Sequence, residues 1–182
     1  MLNQYVVVKA IQEVTSMPNK AFSVRGLAKV ISISPGAAGA ALKFMKKKGI
    51  ATITVIGKTH QYRANLDSAL CRQWKILFNT DFLVDSGIIG EMLEKISGVQ
   101  SLLLYGSLAK GTNDEKSDID LLAITSKPAK NIPAIGKTAG KEINLSVFSF
   151  SDWKKKAVQE KVFYENVIFD SVVLFGERPV VV

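Results

Sequence analysis

Two carboxylates stand two residues apart, at Asp118 and Asp120, in the run Ser117-Asp118-Ile119-Asp120-Leu121. Side chains alternate across a β-strand, so a strand from Ser117 to Thr125 puts both acids on one face. Ile119, Leu121 and Ala123 then point the other way, toward a core. Two like charges this close repel, and a divalent cation removes that penalty. Mg²⁺ is the expected ion, because it prefers oxygen ligands and is usually held by one or two carboxylates plus substrate phosphates. Upstream, Gly106-Ser107 interrupts the apolar run Leu102-Leu103-Leu104-Tyr105. A glycine-serine turn offers backbone N–H groups and a hydroxyl to a phosphate. A D-x-D alone is more often a solvated strand end. Joined to the turn, it points to a nucleotide phosphate bound through a metal.

The elements around these residues narrow the reading. An apolar strand, then Gly106-Ser107-Leu108-Ala109-Lys110-Gly111, then Asp118 and Asp120 on the next strand resembles the polymerase-β-like nucleotidyltransferase superfamily, and within it the small minimal nucleotidyltransferases. The resemblance covers about residues 80 to 182. It implies that Gly106, Ser107, Lys110 and Gly111 bind an NTP, expected to be ATP, and that Asp118 and Asp120 hold the metal. An arginine commonly precedes the second glycine in that family; Lys110 keeps the charge here and loses the bidentate fork. The resemblance also implies a third carboxylate on the following strand, where it helps deprotonate the attacking hydroxyl in two-metal phosphoryl transfer. On a strand from Lys141 to Phe150 the parity-matched candidates are Glu142 and Asn144. With Asn144 in that place the base is missing. By that resemblance, stand-alone relatives often act as antitoxins that modify a protein encoded alongside, while others, in extended forms, modify aminoglycosides; the chain left beside a DNA-binding domain is short for a small-molecule pocket. The implied activity is therefore transfer of an NMP group to a hydroxyl on a toxin-like protein partner. The alternative is a non-catalytic DNA-binding regulator whose transferase-like domain senses nucleotide or binds a partner.

The first third of the chain reads differently. The whole protein has 182 residues and a net charge of +8, but residues 1–65 alone carry +9, with Glu13 as their one acid. Such asymmetry points to two functional parts and a polyanionic partner for the first. Tyr5, Val8, Ile11 and Val14 or Thr15 recur at helical spacing. Ser23 is placed to cap a short helix over 24–30 with Leu27 and Val30 inward. Ser34 followed by Pro35 is a strong helix start, and that helix runs through the basic end Lys46-Lys47-Lys48 to stop at Gly49. Alternation over 50–55 and 59–64 about Gly57-Lys58 predicts a hairpin. Three helices and a hairpin resemble the winged helix-turn-helix of prokaryotic regulators. The resemblance implies that the helix begun at Ser34 enters the major groove of double-stranded DNA. Lys43, Lys46, Lys47, Lys48, Lys58, His60 and Arg63 are then the phosphate contacts, and a homodimer is the expected state.

The remaining segments are read as support. Leu70, Trp74, Leu77 and Phe78 predict a packing helix, and Phe82 to Ile96 a second. Residues 126–139 read as a loop, Ser151-Asp152 as the cap of a helix from Trp153, Val162 to Phe169 as a helix, and Ser171 to Phe175 as a last strand. Lys154, Lys155 and Lys156 read as a solvated face. The single cysteine, Cys71, excludes an internal disulfide and reads as a buried thiol. No transmembrane run or signal peptide is apparent, and a cytoplasmic protein is expected. The predicted fold is α+β, with a winged helix domain over 1–66, packing helices over 67–98, and an α/β nucleotidyltransferase domain with a small mixed sheet over 99–182.

Overall fold

The computed structural model describes residues 5–128 and 140–181, so most of the loop expected over 126–139 lies outside the described residues. Contacts divide the chain into two compact units, Met1–Phe78 and Asn79–Val182. The first unit extends past the boundary expected at 66, because Cys71 and Phe78 belong to its core.

In the first unit α1 (Val6–Ser16), α2 (Val24–Val30) and α3 (Pro35–Lys47) precede the antiparallel pair β1 (Ala51–Ile56) and β2 (Thr59–Ala64). Ser23 Oγ accepts from the Gly26 N–H at 3.0 Å, and Ser34 Oγ from the Ala37 N–H at 3.2 Å, so both serines cap the helices they precede. Ile11, Val14, Leu27, Leu42 and Met45 bury one stripe of each helix against Phe22 and Tyr62. Phe22 and Tyr62 exchange backbone hydrogen bonds of 2.7 and 2.9 Å, which ties the hairpin to the chain just before α2. Two expectations fail here. Val30 is exposed while Ala28 and Ile31 take the inward positions. Leu70 and Leu77 are also exposed, whereas on α4 (Ala69–Asp85) Phe78 is buried and Trp74 packs against the core as expected, with Cys71 and Lys75 completing the inward stripe. Buried Lys75 reaches the C-terminal turn of α1, where its Nζ donates to the Thr15 carbonyl at 2.7 Å and satisfies an end-of-helix acceptor. Burial pushes the Cys71 thiol above its ordinary pKa.

The second unit contains the last residues of α4, then α5 (Ile88–Lys95), β3 (Val99–Tyr105), α6 (Gly106–Lys110), β4 (Ile119–Thr125), β5 (Ile143–Ser149), α7 (Phe150–Gln159), α8 (Lys161–Asp170) and β6 (Val172–Gly176). The helix expected over 82–96 is two helices, because Gly87 takes a left-handed conformation at φ 74° and starts α5 afresh. The four-stranded sheet has the order β5-β4-β3-β6, with β4 and β5 parallel and the other pairs antiparallel. This is a mixed sheet with helices, an α+β arrangement. Both of its faces are covered. Ile119, Leu121 and Ala123 join one core with Leu102, Leu104 and Met92. Leu122 and Ile124 join a second core around Trp153, whose indole N–H donates to the Pro179 carbonyl at 2.8 Å. The cap of α7 is Ser149 rather than the expected Ser151-Asp152: its Oγ accepts from the Asp152 N–H at 3.1 Å.

Candidate functional site

Asp120 occupies the second position of β4, between Tyr105 on β3 and Asn144 on β5. Tyr105 is the last residue of its strand, and Gly106 begins α6 directly after it. Antiparallel pairing therefore returns β4 alongside the glycine-serine turn. Asp118 lies just before the strand, one side-chain period ahead of Asp120; the pairing ladder already reaches the Ile119 N–H, which donates to the Glu142 carbonyl at 2.9 Å.

The turn is built around Asp120. Gly106 has φ 74°, a conformation that only glycine adopts freely. A Cβ there would overlap Asp120 Oδ2 and lie 3.1 Å from its Cγ. The bare Cα is thus the seat of the carboxylate, and any side chain would fill it. Gly106 and Ser107 open α6, and Gly111 closes it in the left-handed conformation at φ 67°. Asn79 holds the far end of this turn. Its Nδ2 donates to the Leu108 carbonyl at 2.8 Å and to Asn113 Oδ1 at 3.0 Å.

The connection into Asp118 is also tied. Asp114 Oδ1 accepts from Ser117 Oγ at 2.9 Å and from the Lys116 N–H at 3.0 Å. The Ser117 hydroxyl, with help from the Lys116 amide, holds the Asp114 carboxyl below its ordinary pKa. Lys141 Nζ donates to the Ser117 carbonyl at 2.9 Å and the Glu115 carbonyl at 3.1 Å. None of Asn79, Asp114 and Lys141 figures among the sequence candidates. The D-x-x-S spacing of Asp114 and Ser117 is a legible local turn signal; nothing local marks Asn79 or Lys141, whose partners lie more than twenty residues away.

Two candidates carry contacts that the sequence did not suggest. Lys110 forms an ion pair with Asp170 of α8 at 2.8 Å. Asn144 lies in register with Asp120, and its Nδ2 donates to Asp120 Oδ1 at 3.1 Å. Glu142 precedes β5 and is exposed. Two carboxylates and a bare glycine turn fit a single divalent cation shared with phosphate oxygens, since magnesium normally takes one or two carboxylates. Among the described residues no group of three or more His, Cys, Asp or Glu is placed to hold a metal ion. Lys155 and Lys156 pair with Asp152 and Glu160, and Lys154 stacks on the Phe150 ring, so these three serve their own helix.

In the first unit Ser34 begins α3, and Lys43, Lys46, Lys47 and Lys48 are exposed along and just beyond it. Gly36, Ala40, Lys43, Phe44 and Lys47 recur at helical spacing and are all exposed, so this face of α3 starts with small residues and ends in cations. On the hairpin Lys58, His60 and Arg63 are exposed. Arg63 is odd-numbered and His60 even-numbered on one strand, so they lie on opposite faces of it.

A comparison with known protein families places its match within the second unit. The family model of the nucleotidyltransferase domain matches residues 86–175, a stretch that includes the glycine turn, both aspartates and Asn144. Nucleotidyl transfer is the chemistry this domain family is named for. Among solved structures, one described as a "putative nucleotidyltransferase" from Sulfolobus solfataricus is similar at 14% identity and a TM-score of 0.35, over 57% of this chain and 88% of that one. No curated protein matches the chain. Among the described residues no helix is long and apolar enough to cross a membrane.

Proposed function

We propose that this chain binds a metal-complexed nucleoside triphosphate at the glycine turn and transfers its nucleotidyl group to a hydroxyl on a protein acceptor, breaking the α–β phosphoanhydride bond and releasing pyrophosphate, while its first unit binds double-stranded DNA. The observation that carries the first half is the seat of Asp120 on Gly106. It brings a carboxylate to the turn whose amides and Ser107 hydroxyl suit a phosphate, with Asp118 one side-chain period away. Mg²⁺ bound by Asp118 and Asp120 would neutralise the phosphate charge that develops during transfer. Lys110, which pairs with Asp170 at the surface, adds a cation beside Ser107 and the turn for the phosphates. The size of the domain supports a protein acceptor, a toxin-like partner encoded alongside, over a small molecule with its own pocket. Incubating the full chain with Mg²⁺, α-labelled ATP and the neighbouring gene product tests this reading. Label appears on the partner with wild type and is absent with Asp118→Ala; absence of transfer with wild type overturns it.

A specific observation favours a second reading. An amide, not a carboxylate, stands beside Asp120 on β5. A base for the attacking hydroxyl is then lacking, and the domain acts as a nucleotide sensor for a DNA-binding regulator. ATP bound with Mg²⁺ but never cleaved distinguishes it. For the DNA half, the support is the +9 charge of residues 1–65 and the capped helix α3 with its exposed lysines. Observed affinity of the full chain for duplex DNA should fall steeply with salt, by about 0.9 log units per log of salt for each phosphate neutralised.

A further inference from the structure

We infer that Asn144 limits the nucleotide site to one divalent cation. The inference rests on the nucleotide-binding reading above and concerns how many metal ions that site accepts. A carboxylate is an acceptor only, so the Asn144 amide must turn its NH₂ toward Asp120, as the 3.1 Å contact from Nδ2 to Oδ1 has it. The same amide therefore cannot offer its oxygen toward Asp120. The two oxygens of Asp120 are divided between two neighbours. Oδ1 accepts from Asn144, and Oδ2 sits against Gly106 where the turn opens. A carboxylate that bridges two cations gives one oxygen to each. Here the neighbour of Oδ1 is an N–H donor, which cannot ligate a cation beside it, and Oδ2 faces the turn.

Charge leads to the same conclusion. Asp118 and Asp120 are the two protein carboxylates beside the turn, and one divalent ion shared with the triphosphate takes both. A second ion would have the phosphate oxygens but no protein carboxylate of its own, because the residue in register on β5 supplies a neutral donor. The nearest other acid on that side, Glu142, precedes the strand beside Asp118 rather than Asp120. Asn144 is thus a specificity-determining residue: it keeps Asp120 oriented and excludes a second cation.

The test counts bound Mn²⁺ on the full chain by equilibrium ultrafiltration with electron paramagnetic resonance, using Mn²⁺ and the non-hydrolysable α,β-methylene-ATP. Wild type retains one Mn²⁺ per bound nucleotide. Asn144→Asp, which has the same shape and places a carboxylate opposite Asp120, retains two. Asn144→Ser removes the amide without adding charge and stays at one, with a circular dichroism spectrum confirming that both variants are folded. Two ions on wild type, or one on Asn144→Asp, overturns the inference while nucleotide binding itself still stands. Failure of wild type to retain nucleotide with Mn²⁺ removes both the inference and the reading beneath it.

Discussion

The two units place their chemistry in opposite ways. The first holds twelve Lys and Arg against two acids, Glu13 and Asp67, and its candidate contacts are spread over a helix and a hairpin. With so few carboxylates its charge cannot be cancelled internally. In the second unit acids outnumber bases by fourteen to twelve, and Lys95, Lys110, Lys155, Lys156 and Lys161 each meet a carboxylate. Its candidate site depends on a few atoms: the bare Cα of Gly106, the two oxygens of Asp120 and one amide of Asn144. A distributed electrostatic surface loses function by degrees. A site built on single-atom fits loses it at once.

The largest effect is therefore expected at Gly106. In Gly106→Ala the added methyl overlaps Asp120 Oδ2 and must also adopt φ 74°. Backbone strain of this kind costs on the order of 1–3 kcal/mol, and the carboxylate is displaced from the turn as well. Nucleotide binding, followed by calorimetry, is abolished, and the melting temperature falls. Retention of nucleotide affinity in a folded Gly106→Ala protein removes the turn from the site.

The matching change in the first unit is graded. Replacing Lys46, Lys47 and Lys48 together with alanine removes three candidate phosphate contacts. The slope of log affinity against log salt should then flatten by about 2.7, at roughly 0.9 per contact. Each single replacement flattens it by about 0.9 and leaves binding measurable. A triple variant with an unchanged slope assigns those lysines to solvent alone.

The contrast also explains what could be read from the chain. Some local signals are faithful, Ser34 before Pro35 as a cap and the Gly106 to Gly111 run as a turn between strands, because the neighbours that decide these features are within a few residues; the cap of α7, at Ser149 and not Ser151-Asp152, is missed by two residues. The charge asymmetry is a sum and needs no structure. Errors arise where a choice depends on packing. Of the expected stripe on α4, Phe78 is inside and Trp74 packs against the core, yet Leu70 and Leu77 are exposed while Cys71 and Lys75 take the inward positions beside them. Periodicity gives the width of an apolar face and not which edge of it is covered. The same holds at the site. Parity left Glu142 and Asn144 both open, and only the parallel register of β4 with β5 puts Asn144 beside Asp120. Asp170, which engages Lys110, lies sixty residues further along the chain and carries no local mark.

A smaller, paired test compares the units on equal terms. Ser34 and Ser149 each accept one amide hydrogen bond at the start of a helix, α3 in one unit and α7 in the other. Ser34→Ala and Ser149→Ala should each cost about 1 kcal/mol in urea denaturation. Ser34→Ala should weaken DNA binding slightly and leave nucleotide binding intact; Ser149→Ala should do neither to DNA.

The smallest expected effect is a titration in the loop that leads to Asp118. The Asp114 carboxyl is held below its ordinary range, first by the Ser117 hydroxyl and then by the Lys116 amide. A depressed folded pKa means that the charged form is favoured by folding. The loop contact is thus fully present above the unfolded value of about 3.9 and is lost as pH falls through the lower folded value. The carboxyl is open to solvent, so global stability should change little while the loop loosens. Carboxyl carbon shifts in an NMR titration should show Asp114 protonating at lower pH than a free aspartate, and Ser117→Ala should return it toward the ordinary range. Because Asp114 and Ser117 set the path into Asp118, the same variant should weaken nucleotide binding modestly at neutral pH without affecting the salt dependence on DNA. A Ser117→Ala protein in which Asp114 titrates unchanged would assign the depression to the Lys116 amide instead and leave the loop without its hydroxyl anchor.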